Sequence, residues 1–222
     1  MIVYRVEISA ITASFRHPTI ITVYHPSLCV PPISTIIGIL GSATGKWINP
    51  KDYSFGYVFQ GKHKFVDLET TYPTSGHLNS KKLMEVGMWF IKREIFFEPK
   101  LYLYLKDKSL AKQFKTPHYP LLLGRSSDLA MVTKIKEIQL EKSNNCSLYG
   151  TSIPYQSGEK LIAGYLQALP TAFENTFPRK PIDVKPYFLI DEPCPVDGEY
   201  YCDPELPDIL GLKNKIGIYF YD

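Results

Sequence analysis

The chain lacks most of the features that announce a chemistry. No run approaches the ~20 apolar residues of a bilayer span, so no membrane partner is expected. The opening MIVYRVEISA has neither a basic n-region nor an apolar h-region, and a cytoplasmic location is expected. Cysteine is sparse: Cys29, Cys146, Cys194 and Cys202 lie far apart and form no CxxC pair. That spacing argues against zinc and against a disulfide framework. Cys194 and Cys202, which flank a Pro/Gly/Asp turn, are the pair best able to meet. No DxD or His-Asp pair marks a metal-dependent nuclease, and no cofactor is expected.

A phosphate-gripping loop is also missing, although residues 30–47, VPPISTIIGILGSATGKW, imitate one. A P-loop needs two glycines separated by four residues, then Lys, then Ser or Thr for magnesium. Here Gly41 and Gly45 enclose three residues, and Trp47 follows Lys46. The order is wrong as well, because Ile36, Ile37, Ile39 and Leu40 precede the last glycines. This reads as a helix, begun near Ser34 or Thr35 and ended at Gly45.

What the chain does have is a core and aromatic area. Of 222 residues, 45% are hydrophobic and 21% charged, with 16 Tyr and 12 Phe. The net charge of +3 is unevenly spread. Residues 1–142 hold 19 Lys and Arg against 11 Asp and Glu, whereas residues 143–222 hold 6 against 11. The basic front is suited to a polyanion and the acidic back to a different contact.

Residues 2–12 alternate as a strand. Residues 54–72 read as one or two strands about a turn at Gly61, and 93–106 as strand broken by Pro99. DKSLAKQFK, from Asp107, is a short helix capped by Asp107 or Ser109. TKIKEIQLEK alternates again. From residue 143 prolines crowd and the segments become short and strand-like. The order strand, helix, strand, strand, helix, strand over 2–140 fits an α+β, ferredoxin-like pattern. Antiparallel sheets of that kind can leave one face open to single-stranded nucleic acid.

Four groups of residues bear on chemistry. Phe15-Arg16-His17, after the first strand, combines an aromatic ring, a guanidinium and an imidazole, suited to base and phosphate. Against this stands a buried Phe beside an exposed Arg. Gly38 and Gly41 share a helix face, where each costs about 1 kcal/mol relative to Ala. Such glycines admit close approach, by a packed strand or by a ligand backbone. Lys46 lies beyond them and can hold a phosphate or complement the helix terminus. LLLGRSSDL (121–129) sets Gly124, Arg125 and Ser126 in a turn whose N–H groups and guanidinium fit phosphate; against this stands a helix N-cap at Ser127 with Arg125 in a surface pair. Finally, His17, Tyr24, His25, Lys46, His63 and His118 are candidates for metal-free RNA cleavage, although nothing in their spacing brings two of them together.

Taken together, ITASFRHP, VPPISTIIGILGSATGK, REIFFEPKLYLYLKD, LLLGRSSDLAMV and the tail YLQALPTAFE…RKPIDVKPYFLID resemble the CRISPR-associated protein 5 family. These are RAMP-superfamily subunits of type I Cascade complexes, and the likeness is to the I-A/I-B branch. The resemblance implies a ferredoxin-like (RRM-like) RAMP domain over 1–142 with a β-hairpin thumb at about 72–92. It also implies a loop-rich, mainly β extension over 143–222. It implies binding to the 5′ handle of CRISPR RNA (crRNA), contacts to the repeated backbone subunit and the large subunit, and an indirect relation to target DNA in antiviral defence. Carried over, Phe15, Arg16, Ser34 to Gly38 (with Thr35) and Gly124-Arg125-Ser126 lie near the handle. His17 and Lys46 join them from the residue reading. One branch of the family cleaves precursor RNA with Tyr, Lys and His residues that have no match here. A non-catalytic, RNA-binding subunit is therefore expected, with a metal-independent endoribonuclease as the alternative.

Overall fold

The computed structural model describes residues 1–20, 23–71, 74–75, 84–85, 89–155 and 164–222. Strands of four or more residues are numbered below. The alternating N-terminus forms β1 (Ile2–Ala10), and helix α1 spans Ile33–Thr44. Strands β2 (Phe55–Gln60), β3 (His63–Thr71), β4 (Trp89–Phe97) and β5 (Lys100–Leu105) follow. Then come α2 (Lys108–Gln113) and β6 (Leu129–Gln139). The last third contributes β7 (Thr151–Pro154), β8 (Tyr165–Phe173), β9 (Pro181–Ile190) and a short α3 (Leu206–Leu210).

The central sheet runs β6-β1-β5-β2, all antiparallel, with Leu121–Leu122 added beyond β6 and Phe220–Tyr221 beyond β2. In the order of the expected pattern these are strands four, one, three and two, which is the ferredoxin-like arrangement. Tyr4 pairs with Leu105 and Glu137, and the register slips once on the β6 side between Glu7 and Ile8.

α1 forms because its apolar residues recur on one face. Ile33, Ile36, Ile37, Leu40 and Ala43 pack on Val6 and Ile8 of β1, Phe55, Tyr57 and Phe59 of β2, and Leu101, Leu103 and Leu105 of β5. The helix begins one residue before the expected caps: Pro32 occupies the N-cap position and no side chain caps the first turn. It ends at Gly45, whose φ of 70° is left-handed and whose N–H donates to Gly41 O. α2 starts at Asp107, whose carboxylate accepts from Ser109 N.

The other face of the sheet is closed too, contrary to the expectation of an open face. Val3, Val58, Tyr102 and Tyr104 are buried under Leu206, Leu210, Ile216 and Ile218 of the chain's last stretch. On the same side Arg5 is fully buried, with Asp203 at 2.5 Å, Glu7 at 2.9 Å and Glu205 at 3.1 Å. Burial pushes its pKa down, but the Asp203 hydrogen bond and charge outweigh that and raise it.

β3 and β4 form a long antiparallel arm, from His63 opposite Phe97 to Thr71 opposite Trp89. The expected thumb at 72–92 falls largely outside the described residues. Within it, Thr74–Ser75 pairs with Met84–Glu85, and 89–92 belongs to β4. β7, β9 and β8 make a separate three-stranded sheet, and β8 packs against α1. All four cysteines are free, and the Cys202 thiol donates to Tyr200 O.

Candidate nucleic-acid interface

A groove of about 710 Å³ runs along the side of α1 that faces away from the core. One wall is α1 itself, through Ser34, Thr35, Gly38, Gly41 and Ser42. Gly45, Lys46 and Trp47 close the helix end. Tyr119, Leu122 and Gly124 come from the segment before β6, and Ala172, Phe173, Asn175 and Arg179 from the β8–β9 hairpin. Among the described residues no carboxylate lines it, and two cations do. Of the ten residues expected to meet RNA, it gathers Ser34, Thr35, Gly38, Lys46 and Gly124.

Gly38 is exposed, and a Cβ built there meets no atom within 4 Å. Packing within the chain therefore does not require glycine at this position, so strand packing does not explain it. What the missing side chain leaves is bare helix backbone facing the groove. Gly41 differs, since a Cβ there would lie 3.1 Å from Lys46 O. The hydroxyls of Ser34 and Thr35 carry no hydrogen bond among the described residues. They sit on a first turn that no side chain caps, where free N–H groups and the helix dipole favour an anion. Lys46 is exposed and unpaired among the described residues.

The second group adjoins the first through Gly124. Its φ is 113°, and a Cβ there would sit 2.0 Å from Ser14 O. Only glycine lets this turn lie on the backbone that leads into Phe15, and Ser14 N donates to Leu123 O across the contact (3.3 Å). Phe15 is 2% exposed, its ring at 5.3 Å from Phe59 and 6.0 Å from Phe96. Stacking a base on that ring would require opening the core, so it fixes the loop from below. Its backbone is held by Ser27 Oγ, which accepts from Phe15 N, and by Leu28 N, which donates to Phe15 O. Arg16 points outward, exposed and without an acidic partner among the described residues. His17 is half-buried, its Nδ1 3.1 Å from Thr19 Oγ1.

Arg125 is engaged inside the protein. Its backbone N–H and two guanidinium nitrogens donate to Asp128, and a third nitrogen to Glu69 at 2.5 Å. Glu69 also accepts from Arg93, so the turn is tied to the arm. Asp128 is fully buried and takes a further hydrogen bond from Thr12. Burial pushes its pKa up, and the bonds from Arg125 and Thr12 outweigh that and hold it below the usual carboxylate value. Ser126 is exposed at the tip of the turn.

The residues suggested for RNA cleavage are dispersed. Tyr24 donates to Glu94, His63 opens β3, and His25 Nδ1 is buried without a partner. His118 packs beside Gly45, and its backbone N–H donates to Ala43 O. Among the described residues no group of three His, Cys, Asp or Glu could hold a metal, and no helix is long and apolar enough to cross a membrane. Trp47, Tyr119, Asn175 and Arg179 are groove residues the sequence did not reveal. Trp47 alone carried a signal, as an aromatic immediately after a helix-ending glycine and a lysine.

The fold defines the class: a ferredoxin-like α+β domain, elaborated by an arm and a β-rich C-terminal third. No protein-family model and no curated protein matches the chain. Among solved structures it is similar to a chain of a "CRISPR RNA-guided surveillance complex", at 12% identity and a TM-score of 0.53 over 88% of this chain and 91% of that one. It is also similar to chains of the type III-B Cmr-beta complex bound to cognate target RNA. One, with AMPPnP also bound, has 11% identity and a TM-score of 0.59 over 86% of each chain. Another has 13% identity and a TM-score of 0.56 over 95% of this chain and 90% of that one. At these identities the likeness is one of fold.

Proposed function

We propose that the chain is a non-catalytic, RNA-binding subunit of a CRISPR effector complex of the type I Cascade kind, akin to the CRISPR-associated protein 5 family. In this reading it holds the 5′ handle of crRNA and caps one end of the assembly in the cytoplasm. It contacts the repeated backbone subunit and the large subunit there, and meets target DNA only indirectly. Residues 1–142 act as the RAMP unit, with the thumb at about 72–92, and residues 143–222 as the extension.

One observation carries the reading: the Ser34–Gly38 run, Lys46 and Gly124 line one groove that, among the described residues, has two cations and no carboxylate. The fold shared with chains of RNA-bound CRISPR assemblies supports it. The closed sheet face moves the RNA from the β-surface to the helix side. There, Ser34 and Thr35 at the start of α1 receive phosphate, the bare backbone at Gly38 admits the sugar-phosphate chain, and Lys46 neutralises charge. Arg16 extends the positive track past the Gly124 turn, where Ser126 adds a hydroxyl. Phe15 and Arg125 support the two loops, and His17 flanks them.

Handle-RNA affinity should fall when Lys46 or Arg16 becomes Ala. Each replacement should also flatten the dependence of log K on log[salt] by about 0.7 for a single strand. Unchanged affinity in both variants would contradict the assignment. Specific cleavage of repeat RNA in EDTA, lost on replacing His17, His25 or His118, would establish the endoribonuclease instead.

A further inference from the structure

Trp47 and Arg179 lie 132 positions apart in sequence and meet at one end of the groove. The guanidinium carbon sits 5.5 Å from the centre of the indole. Trp47 is 49% exposed, and Arg179 is exposed and has no acidic partner among the described residues. Phe173, the last residue of β8, and Asn175, in the turn that follows it, line the groove with them. A half-exposed tryptophan is unremarkable by itself. This one is covered by a cation from a distant hairpin, above a groove that has no carboxylate among the described residues.

We infer that Trp47 and Arg179 form a stacking clamp for one unpaired RNA base. The inference rests on the RNA-binding reading above and deepens it: it names the platform and assigns part of the site to the C-terminal extension. Without RNA the guanidinium covers the indole face. Base–aromatic stacking exceeds an exposed cation–π contact, so an incoming base displaces the guanidinium. Arg179 then turns to the adjacent phosphate, for which its planar fork is shaped. Stacking tolerates any base, because each has a π-face. The clamp therefore adds affinity at this position without reading sequence, and Asn175 is the nearest group able to favour one base edge.

The test uses the chain's two tryptophans. In a Trp89→Phe background Trp47 is the sole indole, because Trp89 belongs to the β4 arm and not to the groove. The full chain is titrated with a fluorescein-labelled single-stranded RNA of about eight nucleotides. Indole emission and fluorescein anisotropy are followed together. The clamp predicts quenching of Trp47 that saturates with the anisotropy signal. Trp47→Ala should weaken binding roughly 10-fold and Trp47→Phe less, as a smaller ring keeps part of the stack. Arg179→Ala should weaken it a few-fold and leave the quench in place. Normal anisotropy with unchanged indole emission, and wild-type affinity in Trp47→Ala, would overturn the clamp while RNA binding stands. No anisotropy change with the full chain would overturn both.

Discussion

At Arg125 two side-chain hydrogen bonds to Asp128 and one to Glu69 hold a side chain that in sequence resembles a free phosphate ligand. Its partners explain why the sequence misleads. Asp128 is only three positions away, but its complete burial and the approach of Glu69 are products of the fold. Arg125→Ala should destabilise the protein by roughly 2–3 kcal/mol in urea unfolding, because it strands a buried carboxylate. The same pair sets an acid limit. Asp128 has a folded pKa below its unfolded value of about 3.9, so the unfolded chain binds the proton first. Its contribution is complete above that value and is lost as pH falls through the lower folded one. Asp128→Asn should therefore flatten the loss of stability below about pH 4, measured by unfolding at stepped pH. Phe15 shows a matching ambiguity. Phe-Arg-His fits an RNA loop and a buried ring beside an exposed arginine equally well, and burial decides in favour of a core ring with an exposed Arg16.

In helix α1 the span was legible, because apolar periodicity and a terminal glycine are local signals. The use of its glycines was not, since whether Gly38 faces a strand or open space depends on what lies opposite. Open space there separates stability from binding. Gly38→Ala should raise helix stability by about 0.5–1 kcal/mol, seen as a higher melting temperature. The same Cβ would stand where the ligand backbone approaches, and RNA affinity should fall at least several-fold. A variant both more stable and equally avid would show that no ligand comes close to that surface. The groove's second wall lay beyond sequence reading, because β8 and the turn after it come from more than 120 residues downstream of α1.

For the whole molecule, the strand-helix order gave the sheet, but the covering of its far face was hidden. Residues 200–214 read as irregular and 215–222 as a short strand-like piece with no evident partner, and Arg5 reads as the polar side of an ordinary alternating strand. Its partners Asp203 and Glu205 lie about 200 residues away, so nothing local marks it as buried. That ion pair latches the last stretch over the sheet, with Tyr104 also donating to Asp203. Asp203→Ala should cost about 3–5 kcal/mol in chemical denaturation, because Arg5 and the Tyr104 hydroxyl lose a fully buried partner. Closing this face is what leaves the α1 groove as the proposed RNA surface. The most direct test is crosslinking of an assembled complex whose RNA carries 4-thiouridine at successive positions of the 5′ handle, followed by peptide mapping. The account predicts crosslinks in residues 34–47, 119–126 and 172–179. Crosslinks confined to residues 200–218 or to other subunits, with none in those three segments, would contradict it.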